Sequence, residues 1–168
     1  MTRPGRAIFV VACLLGATAA TRLQGQQARR VVLTKAGFGA TVSQSELLID
    51  PVTQFKLVQF HRVDTATSTD TVFRRVEEHV YGQSERRAGV SRYRGHSVWL
   101  LAGEDRLLIS WSGATISAEA KTPETVVDSG SIVITGGSGR FARAQGSGSY
   151  RGFASGTVLE RITLDIRY

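Results

Sequence analysis

The sequence predicts an all-β fold: a closed antiparallel β-barrel of about eight strands. Three observations predict it. From Val31 onward, apolar, β-branched and aromatic residues alternate with polar ones in runs of about five to ten residues. Clusters of Gly, Asp, Ser and Thr separate these runs, as turns between strands require. No window beyond the first twenty residues carries a helical period. With no helix to cover a face, closing the sheet on itself removes its exposed edges. A two-sheet β-sandwich is the alternative architecture.

The chain begins with an expected export signal. Arg3 and Arg6 supply a positive start, Ala7 to Leu15 an uncharged apolar run, and Ala17-Thr18-Ala19 a small-x-small cleavage pattern. The apolar run is far short of the roughly 20 residues of a membrane-spanning helix. Residues 1–19 are therefore read as a signal peptide, 20–30 as a polar, Gln-rich tail and 31–168 as the barrel domain. The expected location is periplasmic or extracellular. Cys13 also completes a lipoprotein-like box, but it sits in the middle of the apolar stretch, which favours a small apolar filler.

Strands are expected at Val31–Lys35, Thr41–Ile49, Gln54–Val63, Thr71–Tyr81, Ser97–Leu101, Arg106–Trp111, Ala114–Ala120, Ser131–Thr135, Ala142–Tyr150 and Thr157–Tyr168. Pro51 and Pro123 fall between them, where a missing N–H does no harm. Gly103-Glu104-Asp105 reads as a tight hairpin. The short connections favour neighbouring antiparallel strands.

Composition narrows the function. The single cysteine lies in the signal, so the mature domain has no disulfide, thiol nucleophile or thiolate metal site. The signal holds two of the 21 basic residues and none of the 14 acidic ones, leaving 19 minus 14, or +5. The densest basic stretch, Arg86-Arg87 with Arg92-Tyr93-Arg94, is broken by Gly89 and reads as a loop. A nucleic-acid partner would need an ordered basic stripe with interleaved aromatics, and none is expected. His61, His79 and His96 are spread through the chain without metal-ligand spacing, and no Gly-x-Ser-x-Gly elbow occurs. No metal or cofactor is expected, and no membrane span.

The most specific stretch is TGGSGRFARAQGSGSYRG, residues 135–152. Gly136, Gly137 and Gly139 permit a sharp reversal after the apolar strand Ile132-Val133-Ile134. Phe141 opens the next strand and can plug a barrel end, and Ala142, Ala144, Gly146 and Gly148 share one small-residue face. A phosphate-binding reading fails, because Arg140-Phe141 enters a strand where the Walker pattern needs Lys-Ser/Thr and a helix. The stretch resembles the signature of the dirigent and allene-oxide-cyclase-like barrels: a strand ending Gly-Gly-Thr-Gly, then a basic–aromatic pair and a small-residue strand. Here Ser138 replaces Thr, and Arg140-Phe141 supplies the pair. The resemblance implies a bacterial-type exported member of that superfamily. It further implies a cofactor-free barrel holding an apolar substrate in one conformation, and a trimer as the form of any homo-oligomer. The acidic motif of the cyclases has no match, so catalysis is not carried over.

Among single residues, Glu160 stands out. It shares the face of Val158, Ile162, Leu164 and Ile166 in the last strand. A carboxylate there is costly unless paired, and can serve as a general acid or base or a ligand anchor. The alternative is a structural pair with an Arg. In the strand Thr71–Tyr81, the face of Phe73, Arg75, Glu77, His79 and Tyr81 is read as the outside. The face of Val72, Arg74, Val76, Glu78 and Val80 is read as the inside, with Arg74 the candidate partner of Glu160. Arg74, Glu78, Tyr150 and Glu160 are the candidate ligand-binding residues, and Glu160 the candidate catalytic group. The functional expectation is a barrel binding a small apolar or aromatic molecule. The alternatives are a cofactor-free cyclase or isomerase, and a structural surface protein with a filled core.

Overall fold

The computed structural model describes residues 28–87, 89–116, 126–155 and 157–168; the expected signal and most of the tail lie outside them. Nine strands follow one another: β1 (Arg29–Ala36), β2 (Ala40–Asp50), β3 (Phe55–Thr67), β4 (Arg75–Arg87), β5 (Val90–Leu100), β6 (Arg106–Ile116), β7 (Val126–Ser138), β8 (Gln145–Ser155) and β9 (Thr157–Arg167). Every pairing is antiparallel, and the sheet order is β1-β9-β8-β7-β6-β5-β4-β3-β2. β1 also pairs with β3 through Thr34↔Thr67 and Lys35↔Ala66, which closes a ring of eight. The predicted all-β barrel is therefore present. No helix among the described residues is long and apolar enough to cross a membrane.

The closure is uneven. β1 and β2 run one after the other along β3, interrupted at Gly37, where φ is +74°. β2 pairs with β3 alone among the described strands, and its residues are exposed on both faces except Asp50. One end of the barrel is tight and the other is looser.

Alternation sets the interior. Val31 and Leu33 of β1, Val76 and Val80 of β4, Leu107 and Ile109 of β6, Ile132 and Ile134 of β7 and Ile162, Leu164 and Ile166 of β9 all point inward and are buried. Period-2 patterning puts every second side chain on one face, so each strand contributes a half-turn of core. Phe73, Phe141 and Tyr168 seal the tight end, with ring centroids 5.6 Å apart for Phe73–Phe141 and 4.5 Å for Phe141–Tyr168. Phe141 does plug a barrel end, but from a 3-10 turn at Gly139–Phe141 rather than from a strand.

Several boundaries differ from expectation. β5 begins at Val90, so Arg92 and Arg94 lie on a strand and not in a basic loop: Gly89, at φ +80°, turns the chain tightly enough to pair Arg87 with Val90. The two strands expected around Ser112-Gly113 are one, because Gly113 stays in the ladder opposite Gly130. Gly136 and Gly137 remain within β7, paired with Leu108 and Leu107 across a bulge. The reversal itself falls at Gly139, whose φ of +61° suits a residue without Cβ. Ala142 lies exposed in the turn, so the inward small-residue face starts at Ala144 and continues through Gly146 and Gly148.

Candidate functional site

The barrel interior holds a cavity of about 370 Å³, lined by residues of the ring and of β2. That is within the few hundred Å³ of ordinary small-molecule sites. Its floor is charged and its walls are aromatic.

The floor is built from one row of the ring. Asp128 of β7 is opposite Gly152 of β8, Gly152 is opposite Glu160 of β9, and Glu160 is opposite Lys35 of β1. Lys35 faces inward because it continues the parity of Val31 and Leu33. It is 4% exposed, and its Nζ lies 3.1 Å from Asp64 Oδ2, 3.0 Å from Glu78 Oε2 and 3.2 Å from Glu160 Oε1. Burial alone would lower the Lys35 pKa, but Glu78, Glu160 and Asp64 outweigh it and hold the ammonium above its ordinary value. Asp64 also accepts from Arg62 Nε, at 3.0 Å on Oδ2, and from the Gly39 N–H, at 2.7 Å on Oδ1. Burial opposes ionisation of Asp64, yet Lys35, Arg62 and that N–H together keep it below the usual carboxylate range.

Glu160 and Asp128 behave differently. Burial pushes Glu160 up despite the nearby Lys35, and Glu78 adds to the rise. Burial, then the Glu160 charge, raises Asp128 to about 7. Asp128 is 6% exposed, and its Oδ1 has no hydrogen-bond partner among the described residues. The buried Tyr150 hydroxyl also lacks one. Burial first, and then Asp128, Glu160 and Glu78, raise the Tyr150 pKa above its ordinary value. Ser84 Oγ, the Tyr93 hydroxyl and Trp99 Nε1 of the same lining lack partners too. A buried polar group without a partner is costly, and Asp128 with Tyr150, beside the charged floor, is the place among them best suited to a ligand's polar end.

The aromatic walls depend on glycine. Gly82 faces Gly95 across β4 and β5, and a Cβ on either would lie 2.5 Å from the Trp111 ring. Gly113 faces Gly130 across β6 and β7, and a Cβ on either would lie 2.1 Å from the Tyr150 hydroxyl. These two cross-strand pairs leave room for the Trp111 and Tyr150 rings to lie flat on the barrel wall. Trp111 Nε1 donates to Ser97 Oγ at 2.8 Å, and Tyr93 packs 5.8 Å from Trp111 and 6.4 Å from Tyr150.

Of the residues singled out from sequence, Glu78, Tyr150 and Glu160 meet in this cavity. Arg74 does not. It precedes β4 and is exposed, because the chain bends through residues 69–74 before the strand begins. The same bend carries Phe73 inward, against the parity that placed it outside. The partner of Glu160 is Lys35. Lys35, Arg62, Asp64 and Asp128 were not singled out. The rule that picked Glu160, a charge on the apolar parity of its strand, also applies to Lys35.

A larger depression of about 820 Å³ crosses the outer face of the sheet, with His61, Tyr81, Arg94 and His96 among its lining. It is open to solvent and none of the buried charges Lys35, Asp64, Glu78, Asp128 or Glu160 lines it, so the interior is the better candidate despite its smaller volume.

No family model matches the chain, and no curated protein does. Among solved structures, the chain is similar to a pterocarpan synthase dirigent protein, at 15% identity and a TM-score of 0.46, over 94% of this chain and 99% of that one. So distant a likeness carries no argument about activity, and the architecture stands on the strand pairing described above.

Proposed function

We propose that this barrel binds a small, largely apolar or aromatic molecule in its interior, with the polar end of that molecule at Asp128 and Tyr150. The observation that carries the reading is an aromatic-walled cavity lined by five buried polar groups without partners among the described residues, Asp128 Oδ1 and the Tyr150 hydroxyl together with Ser84 Oγ, the Tyr93 hydroxyl and Trp99 Nε1. A filled-core structural protein would have neither. The chain is further read as a secreted or periplasmic relative of the dirigent and allene-oxide-cyclase-like barrels, on the strength of residues 1–19 and 135–152. Amino-terminal sequencing of the mature protein tests export, with Ala20 expected first.

The binding test uses Trp111, whose indole lines the cavity. Titrating small aromatic compounds into the protein should give a saturable change in tryptophan fluorescence that is reduced in Trp111→Phe, where Trp99 of the same lining remains, together with a raised Tm. The absence of both across a chemically varied panel would sink the proposal.

A second reading, cofactor-free cyclisation or isomerisation, is favoured by one observation: Asp128 is held near pH 7, where a carboxyl can both give and accept a proton. On that reading Asp128→Asn lowers turnover far more than it lowers ligand affinity. Equal loss of both would leave binding alone.

A further inference from the structure

The charges on the cavity floor do not balance. Four carboxyl groups, Asp64, Glu78, Asp128 and Glu160, converge there with two cations, Lys35 and Arg62. Arg86 also reaches the lining, but it is an exposed residue near the end of β4, close enough to Glu46 to lower its pKa. Lys35 occupies the centre of the other three carboxylates, and Arg62 is bound to Asp64 and lies over Phe38 and Phe60 at 4.7 and 5.7 Å. The negative surplus is therefore left on the Asp128 side of Glu160.

Geometry gives that surplus a shape. Asp128 and Glu160 stand on either side of Gly152 in one row of the ring. Two strands separated by a third lie roughly 10 Å apart, and the glycine between them contributes no side chain. The row of side chains thus has a notch, a missing side chain, between two carboxyl groups that both line the cavity. Beside it stand the faces of Tyr93, Trp111 and Tyr150, which attract cations as well as apolar bodies.

We infer that the ligand of this cavity is an organic cation: an amine whose protonated nitrogen lies between Asp128 and Glu160, with its apolar body against Tyr93 and Trp111. This rests on the reading of the cavity as a small-molecule site. A neutral alcohol can donate one hydrogen bond but leaves the surplus charge in place, and an anion adds to it. Without a cation in the notch, Asp128 relieves the same repulsion by taking up a proton, which is why burial and Glu160 raise it to about 7. A bound ammonium replaces that proton.

The test is calorimetric titration of the full chain with three probes that share one phenyl body: phenethylamine, phenethyl alcohol and phenylpropionate. Just above pH 7 the amine is expected to bind about tenfold tighter than the alcohol, as charge-assisted hydrogen bonds require. Its binding should weaken as pH falls through the Asp128 titration near 7, and its heat should depend on buffer ionisation, because a proton leaves. Asp128→Asn should abolish the preference for the amine. If that variant does not fold, the pH dependence and proton release of the unaltered protein decide. Equal or tighter binding of the alcohol, or amine binding without proton release, overturns the cation and leaves the small-molecule reading standing. No binding by any of the three overturns both.

Discussion

Replacing Lys35 by Met removes the one cation shared by Asp64, Glu78 and Glu160 and keeps a side chain of similar length. Three carboxyl groups, each under 10% exposed, then face one another, with Arg62 left on Asp64 alone. Removing one partner of a buried ion pair destabilises by about 3–5 kcal/mol, because the remaining charge is stranded. For a domain of this size that is roughly 10–15 °C in Tm. The assay is urea and thermal unfolding followed by circular dichroism at neutral pH and near pH 5. The sign of the pH effect follows from the carboxyl groups. Burial and Glu78 already hold Glu160 above its ordinary value and Lys35 opposes that rise, so without Lys35 the penalty on ionised Glu160 is full at neutral pH and fades as pH falls and it takes up a proton. The gap between Lys35→Met and the unaltered protein should thus narrow on acidification. Adding Glu78→Gln and Glu160→Gln to Lys35→Met should recover much of the loss at neutral pH, since neutral amides need no cation. A loss below about 1 kcal/mol, or a gap that widens toward pH 5, would refute the claim that Lys35 holds the floor together.

Other outcomes follow from the same geometry. Asp128→Asn should stabilise the apo protein above pH 7 by a few kcal/mol, the order that a shift from 3.8 to about 7 implies. The raised pKa means that the native protein's own stability contribution is present at low pH and lost as pH rises through 7, so a stability–pH curve should flatten in the variant. Gly130→Ala places a methyl where the Tyr150 hydroxyl and the Ser112 carbonyl lie, 2.1 and 2.2 Å away. Overpacking of this kind costs about 1–3 kcal/mol and should shift the Tyr150 ring resonances in an NMR spectrum. Arg74→Ala should leave both stability, within about 0.5 kcal/mol, and ligand affinity unchanged, since Arg74 is an exposed residue outside the cavity. A measurable loss of binding there would restore Arg74 to the site.

Strand-by-strand alternation decided much about this protein before any coordinates. The β texture from Val31 onward, the inward face of Val76, Glu78 and Val80 and the buried carboxylate at Glu160 all follow from residue type and a period of two. Alternation is local, so a single strand carries it whole. Local pattern failed where the chain leaves the strand geometry. The bend before β4 sends Arg74 out and Phe73 in, and one residue of irregularity reverses every parity assignment behind it. The glycines at 113, 130, 136 and 137 look like turns in isolation but stay in the ladder, because a ring from a neighbouring strand or a bulge occupies the space that their missing side chains leave.

The charge cluster belongs to the tertiary structure alone. Lys35 meets Glu160 because β1 closes the ring against β9, and meets Asp64 and Glu78 because β3 and β4 return on its other side. Those neighbours come from opposite ends of the chain, and no spacing between them encodes the meeting. The sequence determined which residues face inward. Ring closure and register decided which of those residues face each other, and pairing between buried charges depends on a few ångströms that only the closed barrel sets.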